Sequence, residues 1–142
     1  MSQRASHYSA QTKARKAALD ILFMAEQREA SLSETFTEQR SLSGGVVREL
    51  TRDIIFGVAE NLDAIDARIE AAASEKWPLD RMPSVDRNIA RMAVYELDYT
   101  DTPPAAVISE AVRLASDLST DESPTFLNGL LAKAAGAKPT TN

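Results

Sequence analysis

One stretch of the sequence decides the fold of this chain: VDRNIARMAVYEL, residues 85–97. With about 100° of rotation per helical residue, its apolar side chains share one broad face that carries Val85, Ile89, Met92, Ala93 and Leu97. Ala90 and Val94 widen this face. Arg87 and Arg91 lie on the opposite, polar side. A helix that is apolar over most of its circumference is typical of a central helix with neighbours on several sides.

Glu96 is the one residue that breaks this pattern, because it points into the middle of the apolar face. A carboxylate in such a place needs hydrogen bonds or a cation. It is either an acid or metal ligand, or a structural tie to another helix through an arginine or a backbone amide. No second carboxylate or histidine stands at metal-ligand spacing, which favours the structural tie.

Helical spacing of apolar residues continues on both sides of this stretch, and no alternating run of useful length predicts a β-strand. The predicted helices cover about residues 11–28, 31–40, 45–60, 62–74, 85–97, 104–118 and 123–135. Asn61, followed by Asp63, is typical of a helix start and separates the third helix from the fourth. We therefore predict an all-α fold of about seven helices. Residues 11–136 form a single helical domain between a flexible arm (residues 1–10) and a flexible tail (residues 137–142).

The composition excludes several kinds of chemistry. The chain has no cysteine, and its one histidine, His7, lies in a polar N-terminal segment. Disulfides, thiolate metal sites, a cysteine nucleophile and a histidine-based triad or zinc site are therefore not expected. No glycine-rich phosphate loop or nucleophile elbow is present. We expect a binding module and not an enzyme, with no cofactor.

No apolar run approaches the roughly 20 residues of a membrane span, and no signal peptide is recognisable. We therefore expect a cytoplasmic protein without membrane association. The net charge of −5 is unevenly distributed, since residues 1–16 carry four basic and no acidic side chains. The remaining residues carry 12 basic and 21 acidic side chains, a net charge of −9. Either the basic segment has an anionic partner and the acidic body a basic one, or the segment is an ordinary polar tail.

Two aromatic residues stand out from the helical pattern. Phe23 lies opposite the apolar stripe of the first helix, so it packs on a second layer of helices or remains available to a partner. Trp77, beside Pro78, either fills space in the hydrophobic core or offers its ring for stacking. Its place at a helix junction favours the position in the core. Asn128 and Gly129 are typical of a close helix-packing position.

The order and spacing of several motifs resemble the NusB family of bacterial transcription antitermination factors, from about residue 12 to residue 135. The central stretch, residues 85–97, is the most specific of them. The others are Ala14-Arg15-Lys16-x-Ala-Leu-x-x-Leu22-Phe23, Gly57-Val58-x-x-Asn61, Trp77-x-Leu79-x-Arg81, Glu110-Ala111-Val112-x-Leu114-Ala115 and Ser123-x-x-Phe126-Leu127-Asn128-Gly129.

This resemblance implies an all-α fold of two small helical bundles packed across each other. It also implies an RNA-binding transcription antitermination factor that catalyses no reaction. Such a factor binds the boxA RNA of ribosomal RNA leader transcripts together with NusE, a small-subunit ribosomal protein. The assembly supports processive RNA polymerase as part of an antitermination complex.

The resemblance also implies two sets of site residues. The RNA-binding set is Lys13, Arg15, Lys16, Ser116, Glu122 and Phe126. The partner-binding set is Phe23, Asp86 and Arg91. Gln11 and Thr12 stand where relatives often have arginine, which lowers the expected RNA affinity. Phe126 either stacks on an unpaired base or belongs to the core, and Glu122 repels phosphate and tunes binding.

Two alternatives remain open at this point. In the first, the chain is the RNA-recognition part of an RNA cytosine methyltransferase, since some of these enzymes carry a NusB-like domain. Otherwise it is a helical interaction protein, for example a homodimer that hides its RNA edge. The chain has no glycine-rich nucleotide-binding unit and no cysteine nucleophile, which speaks against the methyltransferase.

Overall fold

Helices joined by short connections make up residues 8–137, the part of the chain that the computed structural model describes. Seven α-helices and no strand occur in this part, which confirms the predicted fold class. The helices are α1 (Ala10–Arg28), α2 (Leu32–Leu42), α3 (Glu49–Glu60), α4 (Leu62–Ala72), α5 (Ser84–Tyr99), α6 (Pro104–Leu118) and α7 (Ser123–Gly136). Residues 1–7 of the predicted arm and 138–142 of the predicted tail lie outside the described residues.

The chain divides into two units, one up to Glu60 and one from Asn61 onward. The first contains α1 to α3 and the second α4 to α7. The predicted interruption at Asn61 is confirmed, because α3 ends at the preceding residue and α4 begins at the following one. The single-domain bounds, residues 11–136, stay a prediction. No helix within residues 8–137 is both long and apolar enough to cross a membrane.

In the first unit, α1 packs against α2 and α3. Its predicted core stripe is buried and consists of Ala14, Ala18, Ile21, Leu22 and Ala25. The hydroxyl of Thr51 on α3 donates a hydrogen bond to the carbonyl oxygen of Ala14, at 2.9 Å. At the start of α1, the hydroxyl of Ser9 accepts a hydrogen bond from the backbone N–H of Thr12, which caps the helix. The preceding residue, Tyr8, is buried.

In the second unit, α5 is the central helix and packs against α4, α6 and α7, as its sequence predicts. Ile89, Ala90 and Val94 are inaccessible to solvent. Glu96 is also buried, at 2% exposure. Every buried side-chain nitrogen or oxygen in residues 8–137 has a hydrogen-bond partner, so this carboxylate is satisfied within the chain. No three acidic or histidine side chains in the same residues are grouped to hold a metal ion, and the structural tie is the better interpretation of Glu96.

Two bidentate ion pairs join α4 to α5. Arg68 donates to both carboxylate oxygens of Asp98, at 2.8 Å each, and its Nη2 also donates to the carbonyl oxygen of Ala134 on α7. Arg91 donates to both oxygens of Asp66, at 2.8 and 3.0 Å. The hydrogen bonds to Asp98 raise the pKa of Arg68; burial opposes this shift and the charge of Asp98 adds to it. Arg68 therefore fixes three helices of the second unit with one side chain.

We expect Arg68→Ala to lower the free energy of unfolding by about 2–3 kcal/mol, because it leaves a largely buried carboxylate and a helix carbonyl without their donor. Urea denaturation of the two proteins measures the difference. The matched control is Arg81→Ala, whose side chain is exposed, with an expected change within about 0.5 kcal/mol. Equal stability of Arg68→Ala and the native protein would contradict this role.

Candidate functional site

The three cationic residues of α1 that are predicted to bind RNA, Lys13, Arg15 and Lys16, are together less accessible than the sequence suggests. Lys13 is exposed. Lys16 is half-buried, and its Nζ lies 3.0 Å from a carboxylate oxygen of Asp20, one helical turn further on. An ion pair of this kind at the surface is weak, so Lys16 can still exchange Asp20 for another anion. Lys13 is thus the more available cation of the two.

Arg15 is only 8% exposed, so the expectation that its side chain is accessible to RNA is wrong. The reason is the width of the buried face of α1. Leu19 and Leu22 follow Arg15 at helical spacings of four and seven residues, and both are buried. Arg15 has an interaction partner within the chain, and it contributes to the structure of the first unit more than to its accessible charge.

In the second unit, a cavity of about 330 Å³ lies between the start of α5 and the start of α7. It is lined by Trp77, Met82, Pro83, Asp86, Thr120, Glu122, Ser123 and Phe126. The structure therefore brings three of the predicted site residues together: Asp86, Glu122 and Phe126. Ser116, also predicted for RNA binding, is exposed on α6 and does not line this cavity.

The prediction that Asp86 lies on an exposed, partner-facing surface is wrong. The residue is 3% exposed. Its Oδ1 accepts a hydrogen bond from the hydroxyl of Ser119, and the hydroxyl of Ser123 lies 2.9 and 2.8 Å from Oδ1 and Oδ2. Ser123 in turn accepts a hydrogen bond from the backbone N–H of Thr120. Asp86 therefore ties the connection between α6 and α7 to the first turn of α5.

The other two residues that are predicted to bind the partner, Arg91 and Phe23, differ in their exposure. Arg91 is half-buried, and its guanidinium group is held by Asp66 in the bidentate pair described above. It therefore acts first as a link between α4 and α5. Phe23, in the first unit, is 37% exposed, and its role in binding a partner stays a prediction. It remains available for a contact with another molecule.

Two further predictions about the second unit are wrong. Trp77 is 53% exposed and forms a wall of the cavity instead of a core plug. Gly129 is exposed, and a Cβ atom at this position would meet no other group within 4 Å. Close packing of helices therefore does not require a glycine here. Two features of the sequence point to these residues. Trp77 is the only tryptophan of the chain, and Gly129 lies inside a segment that otherwise favours a helix.

Comparison with known proteins identifies the relatives of the chain. The family model described as the NusB family matches residues 12–136. The transcription antitermination protein NusB of Pseudarthrobacter chlorophenolicus is 48% identical over 132 residues, covering 92% of this chain and 96% of that protein. The protein of the same name from Streptomyces griseus subsp. griseus is 45% identical over 137 residues, with coverages of 92% and 95%.

Solved structures give the same picture of the fold. T. maritima NusB superimposes with a TM-score of 0.80 at 33% identity, covering 92% of this chain and 93% of that one. A chain of a crystal structure of the antitermination factors NusB and NusE in complex with double-stranded RNA gives a TM-score of 0.78. Its identity is 23% and the coverages are 89% and 96%, so this second likeness supports the fold alone.

We expect Asp86→Ala to lower the free energy of unfolding by about 2–3 kcal/mol, because the buried hydroxyl of Ser123 and the partly buried hydroxyl of Ser119 lose a charged acceptor. Urea denaturation measures the change, with Asp80→Ala at an exposed position as the matched control. In a double-mutant cycle, Ser123→Ala should add little to the loss already caused by Asp86→Ala. Fully additive losses would contradict the hydrogen-bonded link.

Proposed function

The chain belongs to the NusB family, and on this premise we propose that it is a transcription antitermination factor that binds RNA together with NusE. The observation that carries the proposal is the 48% identity to a NusB protein over nearly the full length of both chains. The finer proposal is that the RNA is the boxA segment of ribosomal RNA leader transcripts. Bound there, the factor supports processive RNA polymerase in the cytoplasm and catalyses no reaction.

The aromatic cavity of the second unit supports a role in binding unpaired bases. Sequence-specific proteins recognise single-stranded RNA chiefly by stacking splayed bases on aromatic rings. Trp77 and Phe126 offer such rings at an accessible cavity, next to the connection that Asp86 holds in place. Glu122 is exposed at the same cavity and repels phosphate, so it tunes which part of a nucleotide can approach.

The small number of available cations explains why a second protein takes part. Each phosphate neutralised by a lysine or arginine releases counterions and adds to affinity. On α1, Lys13 is exposed, Lys16 is paired with Asp20 and Arg15 is buried. The factor alone therefore binds RNA weakly. When NusE binds the same RNA, the two weak surfaces act as one site with a higher effective concentration.

Phe23 is the best candidate for the contact with NusE. Exposed aromatic side chains are enriched among the residues that dominate binding energies at protein interfaces. The acidic body of the chain favours a basic partner, and ribosomal proteins are typically cationic. Arg91 contributes to this contact only indirectly, because it holds α4 against α5.

The direct test is a filter-binding titration of boxA RNA with the protein, with and without NusE, at two salt concentrations. We expect tight binding only with both proteins, and weaker binding at the higher salt concentration. Size-exclusion mass with and without RNA tests the alternative of a homodimer that hides its RNA surface. Absence of RNA binding at low salt in the presence of NusE would refute the proposal.

We expect Lys13→Gln to weaken RNA binding and to reduce the slope of log K against log salt by about one, as for the loss of one phosphate contact. Filter binding across a salt series measures the slope. Arg40→Gln, at an exposed position on α2, is the control and should leave the slope unchanged. Equal slopes for native protein and Lys13→Gln would exclude this contact.

We expect Phe23→Ala to weaken binding of NusE by roughly tenfold or more, because the loss of a dominant interface side chain costs about 1.4 kcal/mol or more. Isothermal titration calorimetry measures the affinity. Leu42→Ala removes a side chain that is 76% exposed on another helix of the same unit, and it should bind NusE like the native protein. An unchanged affinity in Phe23→Ala would remove this residue from the interface.

A further inference from the structure

A groove of about 220 Å³ lies in the first unit, where α1 meets the connection between α2 and α3. Its apolar lining comes from Ala17, Ile21, Met24, Val46 and Val47. Ile21 is buried, whereas Val46 is 81% exposed to solvent. The groove therefore offers an aliphatic side chain of another molecule a place in which it loses contact with water.

Hydrogen bonds hold the connection that forms one wall of this groove. Gly44 and Gly45 have φ angles of 76° and 85°, in the left-handed region that favours glycine. In this turn the backbone N–H of Gly45 donates to the carbonyl oxygen of Arg40, at 2.8 Å. The hydroxyl of Ser43 donates to the carbonyl oxygen of Val46, at 3.2 Å. Because the connection has a defined conformation, binding at the groove requires little ordering of the chain.

The charge of the groove is opposite to that of the chain around it. Residues 17–60 contain eight acidic and four basic side chains. Two of the four basic ones, Arg40 and Arg48, line the groove and are exposed, and neither forms an ion pair within the described part of the chain. Asp20, the one acidic residue in the lining, is paired with Lys16. The groove thus presents two arginines without a partner on an otherwise acidic surface.

We propose that this groove docks an acidic segment of a partner protein. One aliphatic side chain of the segment lies against the apolar lining, and carboxylates on either side of it pair with Arg40 and Arg48. Guanidinium groups bind carboxylates with two parallel hydrogen bonds, so the two arginines fix the register of the segment as well as its charge.

The other contacts proposed above do not fit this groove. Ribosomal proteins are typically cationic, so the arginines would repel NusE. The lining contains no aromatic ring on which an RNA base could stack. A volume of about 220 Å³ is below the roughly 300 Å³ at which small-molecule sites begin, and it suits a single anchoring side chain. The inference therefore adds a third surface, independent of those for RNA and NusE.

The experiment measures binding of a fluorescein-labelled peptide, one leucine flanked on both sides by glutamates, to the full chain by fluorescence anisotropy. We expect binding at low salt that weakens as salt is added. Val46→Ser and Arg48→Glu should each weaken binding roughly fivefold or more, because one removes apolar lining and the other reverses a contacting charge. Both positions are exposed, so the fold should be retained, and thermal denaturation verifies this.

The matched controls are Leu42→Ser and Arg81→Glu, which should bind the peptide like the native protein. Leu42 is 76% exposed but does not line the groove, and Arg81 is an exposed arginine of the second unit. A peptide with serine in place of the leucine should bind roughly fivefold or more weakly.

Three results would overturn the inference. The first is the absence of peptide binding to the native protein at low salt. The second is equal binding of the leucine and serine peptides, or of the native protein and both groove variants. The third is displacement of the labelled peptide by single-stranded oligouridine as efficiently as by unlabelled peptide of equal charge, since the groove would then be a nucleic-acid surface.

Discussion

The carboxylate of Asp86 is buried in the first turn of α5, where it accepts hydrogen bonds from the hydroxyls of Ser119 and Ser123. Removing a carboxylate from water is unfavourable unless hydrogen bonds replace the lost hydration. Here two hydroxyls do so, and the positive end of the helix dipole adds to the stabilisation. This arrangement requires that the connection between α6 and α7 adopt one conformation. The shape of the aromatic cavity follows from that requirement.

Two arginines also hold the helices of the second unit together. Arg68 holds α4, α5 and α7 through Asp98 and a backbone carbonyl, and Arg91 holds α4 to α5 through Asp66. A planar guanidinium group that binds a carboxylate with two parallel hydrogen bonds fixes both distance and orientation. Phe126, which α7 contributes to the cavity, therefore lies on a helix that Arg68 and Asp86 both hold in place. A surface held in this way loses little conformational freedom when another molecule binds to it.

The helices and the core stripes could be predicted from the sequence because they depend on local spacing. The apolar face of α5, the stripe of α1 and the interruption at Asn61 all follow from residues within one or two turns. The roles of Asp86 and Trp77 could not be predicted in this way. Ser119 lies 33 residues from Asp86 along the chain, and Trp77 shares its cavity with Phe126, a residue far along the chain. The burial of Arg15 could not be predicted from its residue type, because arginine is rarely buried.

The sparse charge of α1 has a physiological consequence for the proposed RNA complex. A factor that neutralises few phosphates releases few counterions, so its affinity responds weakly to changes in ionic strength. A complex that depends on stacking and on a second protein is less sensitive to this change.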